Sequence, residues 1–543
     1  MKIIPIGGIG EIGMNMILLK SEEDSIVIDC GVLFPPFQYL GVETIVPDYK
    51  QFCEKFNQTK TFFITHGHED HVGGIPYLLN HCSPNIYATA YASEVIKARC
   101  VSVLGNKKVP NIKTVKFGDV IKVPGFEVEY IQVDHSIPDS SALFIRTHDS
   151  NVLYVADFRL MGKHKSSFLK RIGEIKKDRN IDILLSDSTN AHEDSDSISE
   201  DDVLLSLDSY FSKAKNKIIV TLFSSNISRI NQIIKLSKKY NKSLFISGAN
   251  LKTHINIARS LGYIEADDNC IRPDSELSKT EENNIVLICT GSQAEKYSSI
   301  VRLSKDMHNL KINENDLVIF SSSQIPGNEK VIMSTINRLS EKGAQIVYSG
   351  DYGVHCSGHA NKKELKEVIR NIKPKYFIPM HGEHLHLKEH IDLAIEEGVK
   401  EKNCFIMKSG DEFVYDGENA KIKKKHEFNR CYVDSVTREL IDDVVIKERE
   451  SVAENGLIIV TILVDASGQI VSKPQLMSYG TSKSAEVQDV LDDIEDKLFS
   501  FCKKHSKKGH LAKEIQEIKG MTKREFRKKY DNKPEVILNF LEI

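Results

Sequence analysis

No two of the ten cysteines form a CxxC pair; they are scattered at 30, 53, 82, 100, 270, 289, 356, 404, 431 and 502. That scatter argues against a disulfide framework or a thiolate zinc site and suits a reducing cytoplasm. Long apolar runs are missing too. The opening Met1-Lys2-Ile3-Ile4-Pro5 lacks the apolar stretch of a signal peptide. No segment approaches the length needed to cross a bilayer, so no membrane role is expected. Charge of one sign is also absent: 73 Lys and Arg against 76 Asp and Glu leave a formal net charge of −3. The whole chain therefore announces no nucleic-acid partner, and charge has to be read by region. What is present is an ordinary globular composition, 41% hydrophobic and 27% charged, over 543 residues. That length allows roughly two to four domains, each with its own core.

Against this plain background one stretch stands out: Thr65-His66-Gly67-His68-Glu69-Asp70-His71-Val72-Gly73-Gly74. It follows the apolar run Phe62-Phe63-Ile64, which reads as a buried strand, so the cluster belongs to the loop at the strand's end. A loop suits the chemistry, because six consecutive helical residues would point around all sides of a helix. His66 and His68 can offer nitrogens to one ion while Asp70 and His71 reach a second. Imidazole with few carboxylates and no thiolate suits zinc, with manganese as the alternative. The bland reading is a surface loop rich in histidine, and further ligands decide between the two.

Those ligands lie at the ends of other strand-like runs. Val133-Asp134-His135 closes the run 126–133, Asp157 closes 151–156, Asp187 closes 181–187, and His381 follows Tyr376–Met380. Gly7-Gly8-Ile9-Gly10-Glu11-Ile12-Gly13 has no long helix pattern after it and reads as a hairpin turn rather than a nucleotide loop. Asp29, closing Ser25–Ile28, is either a carboxylate that orients a ligand histidine or a cap. A helix is expected near 76–81 and another over 91–104. From about 200 to 350, strand-like runs at 217–222, 243–247, 285–289, 316–320 and 345–349 alternate with helical patterns near 200–212, 227–240, 251–261 and 328–342. That alternation implies a parallel sheet covered by helices. Loops 290–293 and 321–328 follow strand ends, where they can hold phosphates or merely cap helices. A separate unit begins near 445, with a strand at 457–464 and a helix over 484–503. In 503–533 twelve Lys and Arg face four Asp and Glu, a net of +8; this stretch is either an RNA contact or a solvated helix face.

Assembled, these residues resemble the ribonuclease J family, in the β-CASP branch of the metallo-β-lactamase superfamily. The resemblance covers nearly the whole chain. Its motifs are Gly-Glu-Ile-Gly at 10–13, His-Gly-His-Glu-Asp-His at 66–71, His-Ser-Ile-Pro-Asp-Ser at 135–140 and Ala-Asp-Phe at 156–158. Ser-Asp-Ser-Thr-Asn-Ala at 186–191, Thr-Gly-Ser-Gln at 290–293, Ile-Pro-Gly-Asn-Glu at 325–329, Ser-Gly-His-Ala at 357–360 and His-Gly-Glu at 381–383 complete the set. It implies an α/β fold: an αββα metallo-β-lactamase core (1–199 and 361–440), an inserted β-CASP domain (200–360) and a small α/β C-terminal domain (445–543). It also implies two divalent ions, with His66, His68 and His135 on one, Asp70, His71 and His381 on the other, and Asp157 bridging. Asp70, Asp157, Asp187 and His359 would be catalytic, Asp70 or Asp157 orienting the attacking hydroxide and His359 serving the phosphate or the leaving oxygen. Ser224, Ser225, Asn226, His355, Cys356, Ser357, Gly358 and His359 would contact RNA phosphates. The implied activity is metal-dependent hydrolysis of RNA, internally and 5′-to-3′ from a 5′-monophosphate end, by a cytoplasmic dimer or tetramer working with other RNA-decay proteins.

Two stretches depart from the family pattern: Gly248-Ala249-Asn250 stands where Gly-Arg-Ser is usual, and 34–41 lacks the usual acidic residues. Two rival functions remain in view. One is a hydrolase of small esters or lactones, against which the inserted domain and the His359/His381 pair argue. The other is a non-catalytic RNA-binding scaffold, against which the intact ligand set argues.

Overall fold

The structure, a computed structural model, describes all residues except 36–40, 106–107, 196–197, 265–269, 326, 349–352, 482–484 and 506–513. Most of the departure at 34–41, and Pro326 in the motif 325–329, therefore lie outside the described residues. The chain forms two compact units, the first made of Met1–Phe37 and Thr44–Arg430.

In the first unit the short β-branched and aromatic runs pair into two sheets. One has eight strands, in the order 420–425, 411–415, 2–7, 16–20, 25–28, 61–63, 85–88, 111–114. The other has six, in the order 376–380, 183–187, 151–155, 141–146, 126–132, 120–123. Period-two alternation sorts their side chains between two cores. Leu143, Ile145, Val152, Tyr154, Ile183 and Leu185 join Ile17, Ile26 and Phe63 of the eight-stranded sheet in one buried cluster. The intervening Phe144, Leu153, Val155 and Leu184 join Phe168, Ile369 and Leu393 of helices Lys165–Asp178, Lys362–Ile372 and His384–Glu396. Fully burying one such side chain stabilises the fold by about 1.5–3 kcal/mol. The result is two facing sheets with helices outside.

This arrangement sets the site. Strands 151–155, 183–187 and 376–380 are parallel neighbours, with Val155 beside Ser186 and Asp187 beside Met380. Asp157, Asp187 and His381 therefore leave the sheet along one edge. Strands 25–28 and 61–63 are also parallel, Ile28 beside Phe63, and they deliver Asp29 and the histidine run. The Gly-rich stretch after residue 7 is a hairpin loop joining antiparallel 2–7 and 16–20. It bridges to Gly382 and Glu383 beside His381.

The region 200–350 is a five-stranded, all-parallel sheet in the order 243–247, 285–289, 218–221, 317–320, 345–347. Its helices Glu200–Lys213, Ile227–Lys239, Ala249–Ser260 and Glu329–Glu341 fall within two residues of the expected ranges. Two short helices, Tyr49–Lys55 and Ser299–Ser304, were not legible; each is two turns or less, too short to display a period. The expected helix near 76–81 is the single turn Ile75–Leu78.

The second unit comprises Cys431–Ile543 with the segment 38–43. Strand Leu457–Val464 lies between antiparallel Gln475–Tyr479 and parallel Glu535–Glu542. Helices Ala485–His505 and Ile515–Tyr530 contribute Leu491, Ile494, Leu498, Ile518 and Phe526 to its core. Within the basic stretch, Lys523 and Lys528 pair with Glu535 and Glu525. Among the described residues no helix is long and apolar enough to cross a membrane.

Candidate active site

The histidine stretch is half loop and half helix. Residues 65–68 are irregular, with His68 extended, and Glu69–Val72 then make one helical turn begun at His68. The turn differs from the expected continuous loop. It costs nothing chemically, because a single turn can point Asp70 and His71 to the same side. The close packing beneath it has a visible requirement: a Cβ on Gly31 would sit 1.6 Å from the Asp70 carbonyl oxygen. Only glycine fits there.

Three groups of donor atoms converge. His66, His68, His135 and Asp157 form one, Asp70, His71, Asp157 and His381 a second, and Asp157, Asp187, His359 and His381 a third; within each, the atoms lie within 4.8 Å of one another. His68 Nδ1 stands 3.2 Å from His66 Nε2 and 3.1 Å from His135 Nε2. Asp157 Oδ2 lies 3.6 and 3.5 Å from those same Nε2 atoms. His381 Nε2 is 3.2 Å from Asp70 Oδ2, and His71 Nε2 is 3.2 Å from Asp157 Oδ1.

Around this centre, outer partners fix the rings. His71 Nδ1 donates to Asp29 Oδ2 at 2.8 Å, so Asp29 takes the orienting place rather than that of a cap. Asp29 also accepts the Thr65 amide and hydroxyl. His135 Nδ1 donates to the Gly358 carbonyl at 2.6 Å, and His68 Nε2 lies 3.0 Å from Ser225 Oγ. Asp187 holds His359 Nδ1 at 2.8 Å, leaving His359 Nε2 facing Asp157 Oδ2 at 3.9 Å.

The donor set fits divalent ions. Burial presses His66 and His135 well below the ordinary histidine range and His68 down to about 4, so all three rings are neutral, as ligands must be. Burial also presses His71 down, but Asp157, Asp70 and Asp29 overcome it and lift the ring to about 10. Asp70 is pushed up by burial yet held down to about 2 by His71 and His381. Buried carboxylates that bind protons this tightly into neighbouring imidazoles call for positive charge. Asp157 Oδ1 is buried between His71 Nε2 and His381 Nδ1, each at 3.2 Å, and accepts no well-directed hydrogen bond among the described residues. Imidazole nitrogens facing one another at hydrogen-bond distance, beside an orphan carboxylate oxygen, are the arrangement a cation resolves.

Family models match in four places: "Beta-lactamase superfamily domain" over 26–208, "Ribonuclease J, beta-CASP domain" over 215–339, "Zn-dependent metallo-hydrolase RNA specificity domain" over 351–407 and "Ribonuclease J C-terminal domain" over 444–543. The ribonuclease J of Helicobacter pylori is 34% identical over 503 residues, 92% of this chain and 73% of that protein. This chain belongs to the ribonuclease J family. Ribonuclease J2 of Bacillus subtilis is 32% identical over 483 residues, 88% of this chain and 87% of that protein. A solved structure, described as a protein of unknown function from Enterococcus faecalis, shares the fold with a TM-score of 0.54 at 18% identity, over 76% of this chain and 99% of that one. The αββα core with an inserted β-CASP domain and a C-terminal ribonuclease J domain, expected from the motifs, is the fold of this family member.

The residues assigned to RNA phosphates take varied places. Asn226 is buried and caps helix Ile227–Lys239, its side-chain oxygen accepting the Arg229 amide. Cys356 is buried, its sulfur 3.0 Å from Arg159 Nη1. His355 Nδ1 is buried and has no hydrogen-bond partner among the described residues. Ser357 is exposed, and its oxygen accepts from Asn190 Nδ2 at 2.7 Å and the His359 amide at 3.1 Å. Ser224 is half-buried in the turn before Asn226.

Several participants escaped sequence reading. Asn15 Nδ2 donates to the Asp70 carbonyl at 3.1 Å and lies 3.0 Å from His71 Nε2. Thr189 Oγ1 lies 3.1 Å from His381 Nδ1. Arg229, fully buried, donates to Val354 O, Ser321 Oγ and Glu200 and so ties down the start of the 354–360 loop. Only Thr189 had a signal, its place inside the motif at 186–191.

Proposed function

We propose that this chain hydrolyses RNA phosphodiesters at a centre of two divalent ions, zinc with manganese as the alternative. It acts stepwise from a 5′-monophosphate end and also internally, in RNA maturation and decay. The observation that carries this reading is the pair of donor groups sharing Asp157, with the His359–Asp187 pair beside them. His66, His68 and His135 would hold one ion, Asp70, His71 and His381 the other, and Asp157 both. Bound there, the ions supply a lowered water pKa and a clamp on the scissile phosphate.

The chain's own residues do the rest. Asp70 or Asp157 orients the attacking water for in-line approach to phosphorus. His359, fixed through Nδ1 by Asp187, presents Nε2 to the phosphate and gives a hydrogen bond or proton to the departing 3′-oxygen. The downstream product keeps a 5′-phosphate. Ser357 and the Gly358 amide, with Ser224, Ser225, Asn226, His355 and Cys356 around them, form the end-phosphate pocket in this reading. The partition into 1–199, 200–360, 361–440 and 445–543 belongs to it, as does a cytoplasmic dimer or tetramer with RNA-decay partners. The ten cysteines, all free, suit that compartment. The exposed Met477, Tyr479, Ile537 and Leu541 on the C-terminal sheet suit association with a second copy.

The test is incubation of end-labelled RNAs bearing 5′-monophosphate, triphosphate or hydroxyl ends, after chelation and with Zn²⁺ or Mn²⁺ restored. Ion-dependent cleavage with preference for the monophosphate is expected. Hydrolysis of a chromogenic lactone with no action on RNA would establish the small-ester hydrolase instead.

A further inference from the structure

The two ion sites are not supported alike. At the Asp70–His71–His381 site every orienting group comes from the two-sheet core: Asn15 and Asp29 on His71, Thr189 and Asp187 on His381. At the His66–His68–His135 site, among the described residues, only His66 has an orienting partner on the core strands, Thr65 Oγ1 at 3.0 Å. His68 is held from the five-stranded sheet, and His135 from the loop that joins that sheet to the core. Ser225 follows its strand Ile218–Thr221, and its Oγ lies 3.0 Å from His68 Nε2. Gly358 lies on the loop between that sheet and the core, tied at Val354 O to Arg229 at 2.7 Å and, through its neighbours Ser357 and His359, to Asn190 and Asp187 of the core at 2.7 and 2.8 Å. Its carbonyl takes the His135 Nδ1 proton at 2.6 Å.

These contacts settle more than position. A carbonyl can only accept, so His135 carries its proton on Nδ1 and turns a lone pair on Nε2 toward His68. His68 faces both other rings through Nδ1. With an ion between the three rings, His68 Nδ1 would give its lone pair to the ion, and the ring proton would stand on Nε2 and be given to Ser225 Oγ. The serine hydroxyl proton stays free to donate elsewhere, including to an RNA phosphate. The absence of a side chain at 358 has the same purpose: a Cβ there would lie 2.8 Å from His135 Nδ1 and Cε1.

We propose that the inserted layer and the loop joining it to the core complete one ion site and not the other: Ser225 Oγ and the Gly358 carbonyl position His68 and His135, so that binding of that ion is coupled to seating of the 222–226 and 354–360 loops. This rests on the two-ion reading above. Outer partners of ligand histidines affect metal affinity by about 10–100-fold. Coupling is reciprocal, so the ion in turn favours the seated loops.

The experiment uses the full chain, stripped by chelator and titrated calorimetrically with Mn²⁺ or Zn²⁺ alone. The event belonging to this site is the one that His135→Ala abolishes. Ser225→Ala and Gly358→Ala should each weaken that event by about 10–100-fold and leave the other where it was. Ser225→Thr, which keeps the hydroxyl, should restore it. Amide exchange in 222–226 and 354–360 should slow when the wild-type chain takes its ions, and should not in Ser225→Ala. Unchanged affinities in Ser225→Ala, or equal weakening of both events, would overturn the coupling. A wild-type chain that takes fewer than two ions would remove the two-ion reading itself, a result distinct from either.

Discussion

His68 is a residue whose two ring nitrogens are both engaged, Nδ1 toward His66 and His135 and Nε2 toward Ser225. His68→Ala should therefore abolish RNA cleavage and lower the ion content below two, while the circular dichroism spectrum and thermal melt stay near wild type. The reason is that the preceding strand, with Phe62 and Phe63 fully buried, holds the loop without it. Retained activity at full chelation would refute the assignment. Ser357 offers a finer test. Its oxygen accepts two internal hydrogen bonds, leaving the hydroxyl proton to donate. A lost bond to a charged phosphate costs about 1.5–3 kcal/mol, roughly ten- to a hundredfold. Ser357→Ala should slow stepwise degradation of 5′-monophosphorylated RNA by that factor and internal cleavage much less. Equal loss on 5′-monophosphate and 5′-hydroxyl forms of one RNA would remove the end-sensing role.

At the scale of elements, the first turn of helix Glu200–Lys213 is pinned to the loop that carries His359. Glu200 meets Arg229 Nη2 at 2.9 Å and Arg159 Nη2 at 3.3 Å, with Cys356 and His355 close by. Burial pushes the Glu200 carboxyl up, but Arg229 and Arg159 outweigh it and hold it down to about 2. A carboxylate depressed in the folded state stabilises above its unfolded value, here 4.5, and loses that contribution as pH falls toward about 2. Denaturant unfolding followed from pH 5 to pH 2 should show a wild-type loss of stability that is reduced in Glu200→Gln. The expected cost of Arg229→Ala at neutral pH is larger, about 3–5 kcal/mol, because a fully buried guanidinium is lost together with the nearer partner of the Glu200 carboxylate and the donors to Val354 O and Ser321 Oγ. A midpoint shift of a few tenths of that would mean that Arg159 alone suffices. His355, pressed down to about 3 by burial, takes its proton inside the same window and adds its own loss of stability as pH falls toward that value, a loss that Glu200→Gln leaves in place.

For the whole molecule, the second unit carries none of the residues assigned to the ions, so truncation near 444 should leave the ion content unchanged. The same truncation should lower the mass seen by light scattering and weaken RNA binding. The face presenting Met477, Tyr479, Ile537 and Leu541 is apolar and exposed in a single chain, which is the condition under which association gains most. Identical masses for truncated and full chains would remove the assembly role from this unit.

The sequence alone pointed to the side chains that converge at the centre and to the strand ends that carry them. Apolar runs end where a strand ends, and His135, Asp157, Asp187 and His381 each follow such a run, so chemistry and secondary structure were legible together. The alternating β and α pattern of 200–350 likewise revealed a parallel sheet with helices near their observed ranges. Short helices such as Tyr49–Lys55 were not legible, because seven residues hold too little of the period. Only the tertiary structure decided what orients the ligands. His68 and Ser225 are 157 positions apart, and His135 and Gly358 are 223 apart. One of those partners is a backbone carbonyl, which every residue possesses, so no residue type marks it. The space beside Gly31 and the anchoring of Cys356 between Arg159 and Arg229 are of the same kind. They are matters of close approach, and close approach between distant segments is fixed by packing of the layers rather than by any local pattern.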